Sequence, residues 1–156
     1  MKKVLLGLIL LNNLCFAHWL VMEKKDEFGD NTGIVEYIFG GTSSINNLNY
    51  LSIDREGKLK VTLYRPKFIT RKEVEIKFKI DNNNPYTLMA KNLDPSFELV
   101  GMYEIDDEDI TKKIIEDFKK GNTAKVVIVD DNNNSTLITI PLKNFSNSYN
   151  KLINSK

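Results

Sequence analysis

The sequence predicts a mainly β domain with two late helices, folded as an antiparallel β-sandwich or barrel. Three observations carry this expectation. Apolar and polar residues alternate with a period of two over several short runs. Clusters of Asp, Asn, Gly and Pro separate those runs, and the period lengthens to that of a helix only late in the chain. Short turns suit antiparallel strands, whereas a parallel sheet needs a long crossover between successive strands.

A β-prone run at 19–24 opens the body. Asp26, Gly29, Asp30, Asn31 and Gly33 supply turn chemistry before a second run at 34–39, its expected partner. Residues 40–47 are small and polar and read as a connection. The runs 48–53 and 58–64 flank Asp54, Arg55, Glu56 and Gly57, the clearest hairpin in the sequence. In its second strand Leu59, Val61 and Leu63 alternate with Lys58, Lys60 and Thr62, so one face is dry and the other wet. The alternation is strongest at 72–80, where Val74, Ile76, Phe78 and Ile80 oppose Glu73, Glu75, Lys77 and Lys79. A turn at 81–85 leads into a run at 86–90, and Asp94 with Pro95 leads into one at 97–103.

Residues 106–109 are all acidic and favour the start of a helix. Its apolar positions Ile110, Ile114 and Phe118 fall at i, i+4 and i+8, with Ile115 beside them. Lys119 and Lys120 suit its C-terminal end and Gly121 its stop. The nearly continuous apolar run 125–129 reads as a central strand, paired through the turn 130–134 with 136–140. Phe145, Tyr149, Leu152 and Ile153 recur at i, i+4, i+7 and i+8, predicting a terminal amphipathic helix docked on the sheet. No internal repeat or linker interrupts residues 18–156, which are expected to form a single domain.

The first seventeen of the 156 residues read as a secretory signal peptide. Lys2 and Lys3 precede an apolar run at 4–11, and Cys15, Phe16 and Ala17 form the small-residue ending. That run is shorter than the roughly 20 residues needed to span a bilayer. Cleavage after Ala17 removes Lys2 and Lys3 and takes the formal charge from +1 to −1. The alternative is lipid attachment at Cys15, although Leu14 stands where the lipoprotein pattern carries a small residue. The product is expected to be periplasmic or secreted, with no transmembrane segment in the mature chain.

Composition narrows the chemistry. Lys+Arg 22 against Asp+Glu 21 leaves no basic field, so nucleic acid is not an expected partner. One cysteine and one histidine exclude a disulfide framework and a metal site with two imidazoles, and a Ser-His-Asp or Cys-His centre is not expected because cleavage removes Cys15 and leaves His18 at the chain terminus. His18, exposed at the new N-terminus by cleavage, lacks the second histidine of a copper brace. No catalytic residue, metal or cofactor is therefore assigned. The acidic runs at Asp26, Glu27 and Asp30 and at Asp130 and Asp131 do not complete a calcium loop, and they read as solvated turns. A carboxylate pair assembled in space stays open, and with it an exported carboxylate-dependent hydrolase or carbohydrate-active enzyme.

Trp19, Phe28, Tyr37, Phe39, Tyr50, Tyr64 and Phe68 crowd the first half of the chain. Most are expected in the core. Trp19, Tyr37, Tyr50 and Tyr64 are the candidate binding residues, because a Tyr or Trp left on a sheet face anchors a partner. Glu36, Arg55, Arg65 and Arg71 read equally as solvated charges or interface groups.

The export signal, a tryptophan just after the cleavage point, the succession of strands and the segment 141–152 resemble the layout of the invasion-associated locus B family. In that family of exported β-sandwich proteins a Leu-x-x-Phe element enters the last helix, and Leu142 and Phe145 occupy it here. The cysteines common in the family are absent. The resemblance implies an extracytoplasmic, non-enzymatic protein connected with envelope stress or host interaction. The leading expectation is thus an exported non-catalytic β-sandwich that binds a protein or cell-envelope component. A strand edge completed by another chain is a further option.

Overall fold

The computed structural model describes residues 19–44, 47–64, 72–94, 100–129 and 135–155, with backbone alone at 42–44, 47 and 48. Residues 1–17, on which the signal-peptide reading and Cys15 fall, His18, Arg65, Phe68, Arg71 and residues 130–134 lie outside the described residues. The chain forms β1 (Leu20–Lys25), β2 (Asn31–Ser44), β3 (Asn47–Asp54), β4 (Leu59–Tyr64), β5 (Glu73–Ile80), β6 (Tyr86–Asn92) and β7 (Val100–Ile105). Then come helix α1 (Glu108–Lys120), β8 (Thr123–Val129), β9 (Ser135–Pro141) and helix α2 (Phe145–Asn154). All strand pairs are antiparallel, in the order β1-β2-β3-β4-β7-β6-β5-β8-β9.

This is one continuous sheet that curls without closing into a barrel. Cα atoms of β9 come within 8 Å of β2 and β3, yet β9 is hydrogen-bonded to β8 alone. The reason is pairing capacity. β2 already has β1 on one side and β3 on the other, so β9 meets it through side chains, as the two layers of a sandwich meet.

The alternation read from the sequence sets the inner face. Leu59, Val61 and Leu63 of β4 and Val74, Ile76, Phe78 and Ile80 of β5 are buried, and they share one core with Leu51, Ile53, Val126 and Ile140. The helices close this core with Ile114, Ile115 and Phe118 of α1 and Phe145 and Leu152 of α2. Asp107 caps α1 by accepting from the Ile110 N–H at 2.9 Å, and Glu108 and Asp109 follow in the first turn, where the helix dipole favours negative charge. Ile153 departs from the helical-period reading. It is 55% exposed, because the buried stripe of α2 runs through Phe145, Ser148 and Leu152.

Two glycines act through space. Gly121 ends α1 at φ −87°, outside the left-handed region expected of a C-terminal glycine. A Cβ there would lie 2.5 Å from Ile80 Cγ2, so the glycine lets the helix end meet β5. At Gly40 a Cβ would lie 2.8 Å from Trp19 Cε2. Residues 40–44 read as a connection, yet β2 runs on to Ser44 because they pair with residues 51 to 47 of β3, and at Gly40 the strand passes close to the indole.

Trp19 is therefore core. It is 4% exposed, its ring meets Phe145 edge-on at 4.7 Å and Phe118 at 6.1 Å, and its carbonyl accepts from the Ser148 hydroxyl. Its apolar area is used in joining the start of the described chain to both helices, and it presents no face to a partner. No helix among the described residues is long and apolar enough to cross a membrane.

Candidate functional site

A β-bulge prepares the first surface of interest. Between β1 and β2, Met22 pairs with Tyr37 but Glu23 pairs with Val35, so Glu36 is the extra residue. Val35 and Ile38 consequently both turn inward, while Tyr37 and Phe39 turn outward. Register carries this outer face across the sheet. Phe39 stands opposite Ser52, Tyr50 opposite Thr62, and Thr62 opposite Met102. The rings of Tyr37 and Phe39 lie 6.2 Å apart, and those of Phe39 and Tyr50 5.6 Å apart.

Of the four aromatic residues singled out from the sequence, Tyr37, Tyr50 and Tyr64 are half-buried on this one face, and Trp19 is in the core. Tyr64 stands at the end of β4, in register with Val100, and its backbone N–H donates to Asn49 Oδ1. Burial raises the Tyr37 hydroxyl above its ordinary range, with Tyr50 and Glu36 adding to the effect. Met22 and Met102, which the sequence reading passed over, are 40% and 38% exposed beside these rings. Their only sequence signal is an apolar residue on the polar side of an alternating strand.

A charged zone borders the aromatic one. Lys60 Nζ lies 3.0 Å from Asp54 and 3.4 Å from Glu104, and Lys58 Nζ lies 3.5 Å from Glu56 and 3.6 Å from Glu104. Glu104 raises the Lys58 ammonium above its usual range, and Glu56 adds to this. For Lys60, partial burial pulls downward, but the hydrogen bonds and fields of Asp54 and Glu104 outweigh it and the net shift is upward. Lys91 pairs with Asp106 in the same way. The Asp54 carboxylate also accepts from the Glu56 and Lys58 N–H groups, each at 3.0 Å, which fixes the hairpin turn.

This turn forms one wall of a cleft of about 480 Å³. The end of β7 with Glu104, Ile105 and Asp106 forms a second wall, and the helices complete it with Thr111 and Ile115 of α1 and Tyr149 and Ile153 of α2. Arg55 crosses from the turn to donate to the Ser155 carbonyl at 2.7 Å, which ties the turn to the end of α2. Thr111 is 3% exposed, and its hydroxyl has no hydrogen-bond partner among the described residues. A second, shallower groove on the other side of the turn is lined by Glu36, Tyr37 and Lys60, so charged and aromatic zones adjoin.

In the first turn Asp26 serves the backbone. Asp26 accepts from the Phe28 and Asp30 N–H groups, each at 2.9 Å, and Asp130 and Asp131 lie outside the described residues. Among the described residues no group of three or more His, Cys, Asp and Glu side chains is placed to hold a metal ion. No protein-family model, curated protein or solved structure matches the chain.

Proposed function

We propose that this chain is an exported, non-catalytic binding protein that holds a protein of the cell envelope against the outer face of β2, β3 and β4. The observation that carries this reading is a contrast within one sheet face. At β5 that face bears Glu73, Glu75, Lys77 and Lys79, the charged surface expected of a sheet facing water. At β2 to β4 it bears the adjoining rings of Tyr37, Phe39 and Tyr50; exposed methionines occur on both halves, Met22 and Met102 beside the rings and Met89 opposite Glu75, so the cluster of rings makes the contrast. Tyr, Phe and Met are the residue types enriched where proteins meet.

The face is favoured over the edges. β1 ends on Lys24 and Lys25 and carries two register irregularities, both of which discourage pairing with a further strand. β9 ends on Pro141 and lies against β2. Export rests on the pattern of residues 1–17, and the resemblance to the invasion-associated locus B layout supports the same reading.

The test is positional crosslinking in the native envelope. A photoreactive phenylalanine analogue is placed at Tyr50 and, as a control on the charged half of the same face, at Lys77. The proposal expects one adduct mass from position 50 that weakens with Tyr37→Ser and is absent at position 77. Equal adducts from both positions, or none from position 50, would overturn it.

A further inference from the structure

The sulfur of the chain is placed to act on the aromatic face. We propose that two-electron oxidation of Met22 and Met102 by a hydroperoxide switches off binding at that face, a regulation that rests on the binding reading above. Met1 and Cys15 fall within residues 1–17, so Met22, Met89 and Met102 hold all the sulfur of residues 18–156.

Methionine ordinarily fills irregular gaps in a core. Among the described residues the core here contains none, and all three methionines stand exposed on the outer face of the sheet. Met22 is in register with Tyr37 at one side of the ring cluster. At the other side Met102 is in register with Thr62, and Thr62 with Tyr50. In the order β1-β2-β3-β4-β7 the two thioethers therefore bracket the rings, four strand spacings or roughly 19 Å apart. A contact of ordinary size, about 800 Å² on each partner, covers both when it is laid over the rings.

The chemistry is complete with a hydroperoxide as the oxidant. A sulfur lone pair attacks the peroxide oxygen, and the S–O bond forms as the O–O bond breaks. The departing hydroxide takes the proton of the transferred OH group, leaving a sulfoxide and water, so that sulfur loses two electrons and the peroxide gains them. The product replaces a flexible apolar side chain with a polar one and is reversed by methionine sulfoxide reductases. Under a partner the new oxygen is an acceptor without a donor, a loss that corresponds to about a tenfold fall in affinity. A bound partner shields both sulfurs, so oxidation acts on the unbound chain and prevents it from binding. Met89, opposite Glu75 on the charged half of the face, is an internal control whose oxidation leaves the rings untouched.

The test treats purified protein carrying the photoreactive analogue at position 50 with hydrogen peroxide, removes the peroxide and adds the protein to native envelope. Peptide masses should show one added oxygen at each of the three methionines. The melting temperature should stay within about 2 °C of the untreated protein, because no sulfur is in the core. The adduct should fall about tenfold and return after treatment with methionine sulfoxide reductases. Met22→Leu combined with Met102→Leu should keep its adduct after peroxide, whereas Met89→Leu should lose it as the parent does. The proposal is overturned if the adduct survives oxidation of Met22 and Met102, if the Met22→Leu/Met102→Leu protein loses it as well, if Met89→Leu keeps it, or if oxidation unfolds the chain. No adduct from the untreated protein would instead strike the binding reading, and this regulation with it.

Discussion

Gly40→Ala is the sharpest test of where Trp19 belongs. A Cβ at position 40 would stand 2.8 Å from Trp19 Cε2 and 2.9 Å from Cδ2, where carbon atoms pack best at about 3.5–4.0 Å. The indole therefore has to move by most of an ångström, and its contacts with Phe145 and Phe118 oppose that movement. Overpacking of this kind costs about 1–3 kcal/mol. In a domain of this size each kcal/mol lowers the melting temperature by roughly 2–4 °C, so the expected fall is about 2–12 °C. The assay is urea unfolding of the parent, Gly40→Ala, Trp19→Phe and the double variant, followed by far-UV circular dichroism, because Trp19 is the only tryptophan. Phe lacks the second ring, so the cost of Gly40→Ala should shrink by at least about 0.5 kcal/mol in the Trp19→Phe background. An unchanged cost in both backgrounds, or a cost below that value in the parent, would refute the placement of the indole over β2.

Other residues give independent checks. Thr111→Val removes a buried hydroxyl without a partner and should raise stability by about 1 kcal/mol in the same urea assay; a comparable loss would show that the hydroxyl is paired. Asp81, in a left-handed turn at φ 47°, accepts from the Asn122 and Thr123 N–H groups. Asp81→Ala should therefore cost about 1–3 kcal/mol, with Asp81→Asn losing less because Asn tolerates that backbone and keeps an acceptor. Burial pushes the Tyr103 hydroxyl from 10.0 up to about 12. Its folded value lies above its unfolded value, so the stability it contributes is full below pH 10 and is lost as pH rises through about 12. Phenolate absorbance should show one tyrosine titrating together with alkaline unfolding, and Tyr103→Phe should remove that step.

Most of the fold was legible because strands with one dry face write their period into the sequence. The β5 alternation, the Asp54 to Gly57 hairpin and the acidic start of α1 stand as read, whereas on β4 Thr62, read on the wet face, is buried. What escaped depends on contacts between distant residues. Gly40 looks like a linker residue until Trp19 lies over it, and Gly121 looks like a left-handed cap until Ile80 is seen against it. Ser148 occupies a core position on α2 because the Trp19 carbonyl satisfies it, which moves the buried stripe away from Ile153.

The candidate surfaces follow the same rule. Tyr37 and Tyr50 were visible as residues, but their convergence needs both the Glu36 bulge and the β2–β3 register. The cleft needs β4 beside β7, a pairing of strands that are not successive in the chain. Lys58 and Lys60 read as the wet side of one strand, and nothing local announced that Glu104 would meet both.

Methionine footprinting tests the central claim most directly. Met22, Met102 and Met89 are 40%, 38% and 54% exposed, and all oxidise readily in the isolated protein if exposure governs the rate. Met22 and Met102 adjoin the aromatic zone, whereas Met89 is in register with Glu75 on the charged half of the face. The account predicts that in the native envelope Met22 and Met102 become protected relative to the purified protein while Met89 oxidises as before. Equal oxidation of all three in both settings would contradict it.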